Sequence, residues 1–184
     1  MTNSVANVVA GKPLTSGGIL GAPLGTSLPT DADTALAGGF EAFGYISADG
    51  VTEAEERSTE KIAAWGGDTV KVVQTEFSLT YAFTMIETLN KAALEAVYGD
   101  ENVEEVGSLT KIKVNSKELP AKAYVFEIKD GDVRIRVVVP NGKITEKGEV
   151  KYVDNETISY PVTVEALPDG SGNNAYKYLD SGED

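Results

Sequence analysis

The stretch TYAFTMIETLNKAALEAVYGD, residues 80–100, changes its apolar period part-way through. Before it, VKVVQTEFSLTYAF (residues 70–83) alternates. Val73, Thr75, Phe77, Leu79, Tyr81 and Phe83 fall on one face, with Gln74, Glu76, Ser78 and Thr80 on the other, which predicts a long strand with one buried side. From Thr84 the spacing turns helical. Thr84 and Glu87 have the S/T-x-x-E spacing of a capping box, which satisfies two backbone N–H groups at a helix start. Ile86, Leu89, Ala93, Leu94, Val97 and Tyr98 then form one stripe, and Gly99 supplies a stop, predicting a helix over about 86–98.

Almost nothing else reads as helix. KAYVFEIKDGDVRIRVVVPNG (residues 122–142) predicts a hairpin turning at Asp130-Gly131, with Ile128 opposite Val133, Phe126 opposite Ile135 and Tyr124 opposite Val137. On the other face Glu127 would meet Arg134, a cross-strand charge pair. TISYPVTVEAL alternates through Ile158, Tyr160, Val162 and Val164, with Pro161 marking an edge or irregular point. Short strands are also expected at Phe43–Ile46, Leu109–Val114 and in GEVKYVD. Six to eight strands at hairpin spacing with one helix predict a mainly β fold, a β-sandwich or barrel whose open end or seam the helix covers.

Two segments do not follow this pattern. Residues 1–40 are rich in Gly and Pro, and only Lys12, Asp31 and Asp33 carry charge. A solvated disordered tail would be more charged. The spaced apolar residues Val8, Val9, Ile19, Leu20, Leu24, Leu28 and Leu36 predict an extended arm that orders against another surface. The second segment, VTEAEERSTEKIAAWGGDTV, sets Glu53, Glu55, Glu56 and Glu60 around Arg57 and ends at Trp65 before Gly66-Gly67. It reads as a long solvated excursion or ribbon, with a helix over Glu53–Ala64 as the alternative. The expected organisation is an arm over 1–40, a β domain over 41–179 and a flexible end over 180–184.

Composition removes most chemistry. With no cysteine there is no disulfide framework, thiolate nucleophile or zinc-thiolate site. With no histidine the usual base near neutral pH and the commonest transition-metal ligand are gone. DADT and DGD lack the other ligands of a calcium loop, Glu104-Glu105 sits in an uncompensated acidic run, and TSGGILGAPLG has no phosphate-loop ending. No catalytic, cofactor or metal residue is therefore assigned, and no enzymatic activity is expected. A net charge of −13 disfavours phosphate backbones. No apolar run approaches the ~18 residues of a membrane span, and the N-terminus has no basic residue ahead of a continuous apolar core, so no signal peptide is expected.

The order of elements resembles a known family. A loose arm, a short strand, an acidic excursion ending IAAWGGDTVKVVQTEF, then TMIETLNKAALEAVYGDENV, further strands and YPVTVEALPDGSGN are similar to the major tail, or tail tube, protein of long-tailed bacteriophages, those of actinobacterial hosts in particular. The likeness spans about residues 38–179. It implies a virion protein, assembled in the host cytoplasm, whose subunits form hexameric rings with a continuous inner sheet, akin to type VI secretion tubes. The rings would stack into a conduit that DNA crosses without specific binding. Its implied partners are itself, tape measure, tail terminator and tail tip proteins, with no membrane. Stacking would map onto residues 1–40 and about 50–68: Val8, Val9, Ile19, Leu20, Leu24, Leu28, Glu53, Glu55, Glu56, Arg57 and Trp65. The alternative is a small β-sandwich binding module or another virion part, such as a capsid decoration or neck protein.

Overall fold

The structure, a computed structural model, describes residues 3, 5–14 and 17–182. Among these, ten strands carry the fold: β1 (Ile19–Pro23), β2 (Glu41–Ala42), β3 (Ile46–Ala63), β4 (Thr69–Met85), β5 (Val103–Val106), β6 (Leu109–Ile112), β7 (Lys122–Asp130), β8 (Val133–Lys147), β9 (Tyr160–Ala166) and β10 (Tyr176–Asp180). One sheet runs β2-β1-β7-β8-β9-β4-β3, with β10 on the N-terminal half of β8; β5 and β6 form a separate hairpin. All pairings are antiparallel.

The sheet rolls on itself because its apolar positions recur at period two on one face. Leu79, Tyr81, Phe83 and Met85 of β4, and Tyr160, Val162, Val164 and Ala166 of β9, are all buried. Tyr81 stacks on Phe126 of β7 with ring centroids 4.9 Å apart, and Phe83 meets Phe126 edge-on, so β4 and β7 face each other across the core. The chain from Glu41 to Ile46 ties the two ends of the sheet together. Phe43 donates its N–H to Ile19 O, while Tyr45 O accepts from Ile86 N–H, each at 3.0 Å. Gly21 has to be glycine here: a Cβ would stand 2.5 Å from the Phe43 ring.

The expected helix is present but shorter. Helix α1 spans Lys91–Tyr98 and buries Ala93, Leu94, Ala96 and Val97 against the core. Its cap is Asn90, whose side-chain oxygen accepts from Ala93 N–H, and not Thr84. Alternation wins over the capping box at that point, because Met85 is wholly buried as the last inward residue of β4. Glu87 is diverted instead to accept the Tyr45 N–H at 2.9 Å. Gly99, at φ 93°, ends the helix as expected.

The β7–β8 turn also lies one residue later than the sequence predicts. Asp130 pairs with Val133, and the only positive φ in the turn is 62° at Gly131, which suits the first central position of a type II′ turn. Asp130 is held in its strand because its carboxylate accepts from Ala10 N–H and Lys12 Nζ. The partners of Tyr124 to Lys129 thereby move by two, which preserves the faces: Glu127 meets Arg136 and not Arg134, and Phe126 meets Val137.

Residues 10–14 and 17–36 are bound to their own chain. Lys12 O accepts from Lys129 N–H and Leu14 N–H donates to Glu127 O, so this stretch lies along β7. The strand β1 is internal to the sheet, and Asp31 O and Thr34 O both accept from Arg136 at 2.9 Å. Over this stretch the surface against which the expected arm orders is that of β7 and β8 of the same chain. At the other end Asp180 closes β10, while Glu183 and Asp184 of the expected flexible end lie outside the described residues.

One core atom is poorly served. Tyr81 is buried, and its hydroxyl has no hydrogen-bond partner among the described residues. Burial first, and the nearby Glu53 carboxylate second, raise its pKa far above the usual phenol range. An unpaired buried hydroxyl costs about 1–3 kcal/mol. Tyr81→Phe should thus leave stability unchanged or raise it by about 1 kcal/mol in urea unfolding, whereas a clear loss would show that the hydroxyl has a partner.

Candidate assembly surface

Strands β3 and β4 are the longest in the chain, and they outrun the core. Their register pairs Val51 with Phe83 and continues to Ala63 opposite Thr69. On β4, however, only the positions from Leu79 onward are buried as inward residues, and β9 pairs only with Thr80–Met85. Beyond Leu79 the two strands form a free ribbon exposed on both faces. Eight further β3 positions, Glu56 to Ala63, carry it ~26 Å past the core at ~3.3 Å per residue.

The ribbon is not uniformly polar. A bulge between the Ser58–Glu76 and Thr59–Gln74 pairs inserts Thr75 into β4 and shifts the alternation. Phe77 stays on the core-side face, but beyond the bulge that face receives Val72 instead of Val73, and a second irregularity at Val70 follows before the tip. Phe77, Val72 and Val70 are all exposed, so the apolar stripe of the core continues onto open ribbon. Sequence reading took Val73, Thr75 and Phe77 as part of one buried face. The available counter-signal was β3: a strand reading EAEERSTEK has no apolar face, so its partner could not be buried along its whole length.

The charged residues singled out in the sequence hold the ribbon together at its root. Arg57 donates to Glu55 at 2.6 Å and to Gln74 Oε1 at 3.1 Å, and its guanidinium lies 4.7 Å from the Phe77 ring centroid. Glu53 accepts from Lys177 of β10 at 2.6 Å, tying the ribbon root to the C-terminal strand. Glu56 is exposed on the opposite face.

At the tip, Ala64 N–H donates to Asp68 O at 2.8 Å and Gly67 N–H to Ala64 O at 3.0 Å. Gly66 and Gly67 have φ of 121° and 98°, values that a side chain resists. This closed turn presents Trp65, the only tryptophan, at 107% relative exposure. The N-terminal candidates divide. Val8 and Leu24 are exposed, Val9, Leu20 and Leu28 are half-buried, and Ile19 is buried. Ile19 packs into its own core and offers almost no free surface. The structure brings Glu55, Arg57 and Phe77 together; Trp65 stands apart from them at the tip.

Among the described residues no group of three Asp or Glu is placed to hold a metal, and no helix is long and apolar enough to cross a membrane. The features that stand out are a protruding ribbon, an apolar stripe and exposed strand edges, which are means of binding protein. A model of the phage tail tube protein family matches residues 1–183. The chain belongs to the phage tail tube protein family. Its function is that of a structural protein of the phage tail, assembling with itself and other tail components into a tube.

Two solved structures are similar to this tail tube protein at low identity. One is described as the anti-feeding prophage cap, a tube terminating cap. It has 8% identity and a TM-score of 0.48, with 98% of this chain and 100% of that chain covered. The other is the sheath-tube complex, in the extended state, of an extracellular contractile injection system called PVC. It has 8% identity and a TM-score of 0.45, with 97% of this chain and 100% of that chain covered. No curated protein sequence matches the chain. Family membership selects the tube reading over a binding module, capsid decoration or neck protein.

Proposed function

We propose that this tail tube protein forms hexameric rings that stack through the β3–β4 ribbon and the N-terminal segment. The observation that carries this is the ribbon itself: two long strands leave the core with Phe77, Val72, Val70 and Trp65 uncovered. A soluble monomer gains nothing from such a projection, and its unpaired edges invite pairing with another chain. A neighbouring subunit that covers it converts exposed apolar area into binding energy at ~25 cal/mol per Å².

Within the N-terminal segment, the assembly role falls to Val8, Val9, Leu24 and Leu28, which retain exposed surface, with Leu20 contributing the part of its side chain that its own sheet leaves open. On the ribbon it falls to Trp65 and to the outward Glu56, while Glu53, Glu55 and Arg57 stiffen the root. The surplus of carboxylates, −13 net, keeps DNA from adhering as it passes along the lumen. The ends of the tube meet tape measure, terminator and tip proteins, and assembly takes place in the host cytoplasm. Negative-stain microscopy of concentrated protein tests the reading. Tubes whose end views average to sixfold rings are expected; monomers at every concentration and salt tried would refute it.

A further inference from the structure

The molecule carries, at the root of the ribbon, a cleft suited to the residue at the ribbon's tip. Between the start of β3 and the β1–β7 side of the sheet lies a cavity of about 220 Å³. Pro13, Ile46, Val51, Phe126 and Ile128 line it together with Ser47, Ala48 and the Arg136-paired Glu127. It opens where the rolled sheet has a seam. The β3–β4 register slips between Ile46 and Val51, so this part of β3 is pulled away from its neighbour. The lining is mostly apolar, its one carboxylate is already paired with Arg136, and the Ser47 hydroxyl is able to accept an indole N–H.

We infer that Trp65 of one subunit seats in this cleft of the next subunit along the tube. The inference rests on the stacking role proposed above and names its contact. Three observations favour a second copy of the chain as occupant. Trp65 is wholly exposed on a turn closed by two backbone hydrogen bonds, so it is held ready for a partner at little ordering cost. The family assembles into a tube, which supplies copies of this chain as neighbours. Knob and cleft also lie at opposite ends of one ribbon. A tip-to-root contact joins two different surfaces, and repeated without ring closure it propagates linearly. Twelve strand positions separate Val51 from Ala63, about 40 Å at ~3.3 Å each. The axial step of the tube is accordingly on the order of 40 Å.

Because Trp65 is the only tryptophan, its fluorescence reports the seat directly in the unaltered protein. On assembly, emission should move to the blue and acrylamide quenching should fall several-fold. Ala48→Phe, which fills the cleft rim, should abolish both changes together with tube formation, at an unchanged melting temperature. If Ala48→Phe lowers the melting temperature, disulfide trapping decides. The chain has no cysteine of its own, so Trp65→Cys mixed with Ala48→Cys should give covalent pairs absent from either variant alone. Tubes with unshifted Trp65 emission, assembly of Ala48→Phe with a blue shift, or no covalent pairs would overturn the seat while leaving ribbon stacking intact. Wild-type protein that never assembles would overturn the stacking reading beneath it.

Discussion

A chain in which residues 58–76 are replaced by Asn-Gly should fold as a stable monomer and form no tubes. Arg57 and Phe77 are directly paired in the ribbon, so a two-residue turn can close the hairpin there without changing register. Nothing in the buried core is lost, because inward burial on β4 begins at Leu79 and the excised residues make their strand pairings only with one another. The contact between Arg57 and the Phe77 ring survives. The unfolding midpoint should fall by no more than the effect of exposing a new turn, within ~1 kcal/mol of the full chain. Assembly should fall by orders of magnitude, because the cut removes Trp65, Val70 and Val72 together. Sedimentation velocity beside thermal melting separates the outcomes. A folded variant that still forms tubes would show that stacking lies elsewhere; an unfolded one would show that the ribbon belongs to the folding core. Truncating residues 1–40 is a poorer test than the sequence implies, since it would remove β1 from inside the sheet.

Local rules made most of this fold legible. The alternation of Leu79, Tyr81, Phe83 and Met85, and of Tyr160, Val162 and Val164, reports a buried sheet face because side chains alternate strictly along a strand. Gly99 reports the helix end for an equally local reason. Positions were missed where a distant residue decided between two local options. The capping box at Thr84 and Glu87 is sound chemistry, but Tyr45 N–H, some forty residues away in sequence, claims Glu87. The turn at Asp130-Gly131 is a good local choice, yet Asp130 is drawn into the strand by Ala10 and Lys12. The bulge at Thr75 has no marker residue, and it decides that Val72, not Val73, extends the core stripe; a second irregularity at Val70 follows before the tip. For residues 10–14 and 17–36, lack of charge points to a need for a surface, but sequence alone does not say whose; β7 and β8 are far away along the chain.

The docking of that segment depends on one buried charge, and Arg136→Met should show it. Arg136 is 4% exposed and Glu127 7%; their side chains meet at 2.8 Å. Arg136 also donates to Asp31 O and Thr34 O, so a single guanidinium neutralises a buried carboxylate and holds the crossing segment. Removing it leaves Glu127, only 7% exposed, without its countercharge, an effect on the order of 3–5 kcal/mol. The denaturation midpoint should drop accordingly, and amide exchange should accelerate at Asp33 and Thr34, whose N–H groups are ordered by Asp31. Combining Arg136→Met with Glu127→Leu should recover most of the stability, because a well-packed apolar pair avoids the stranded charge. Exchange at residues 31–34 should remain fast, since neither new side chain can serve the two carbonyls. Acid should loosen the same turn. The Thr34 hydroxyl, and then its N–H, hold the Asp31 carboxyl below the ordinary aspartate value of 3.8. Its contribution is therefore complete above that pH and is lost as pH falls through the lower folded-state value. A single-variant loss under ~1 kcal/mol would mean that water reaches Glu127, and that the segment is held by its apolar residues and not by Arg136.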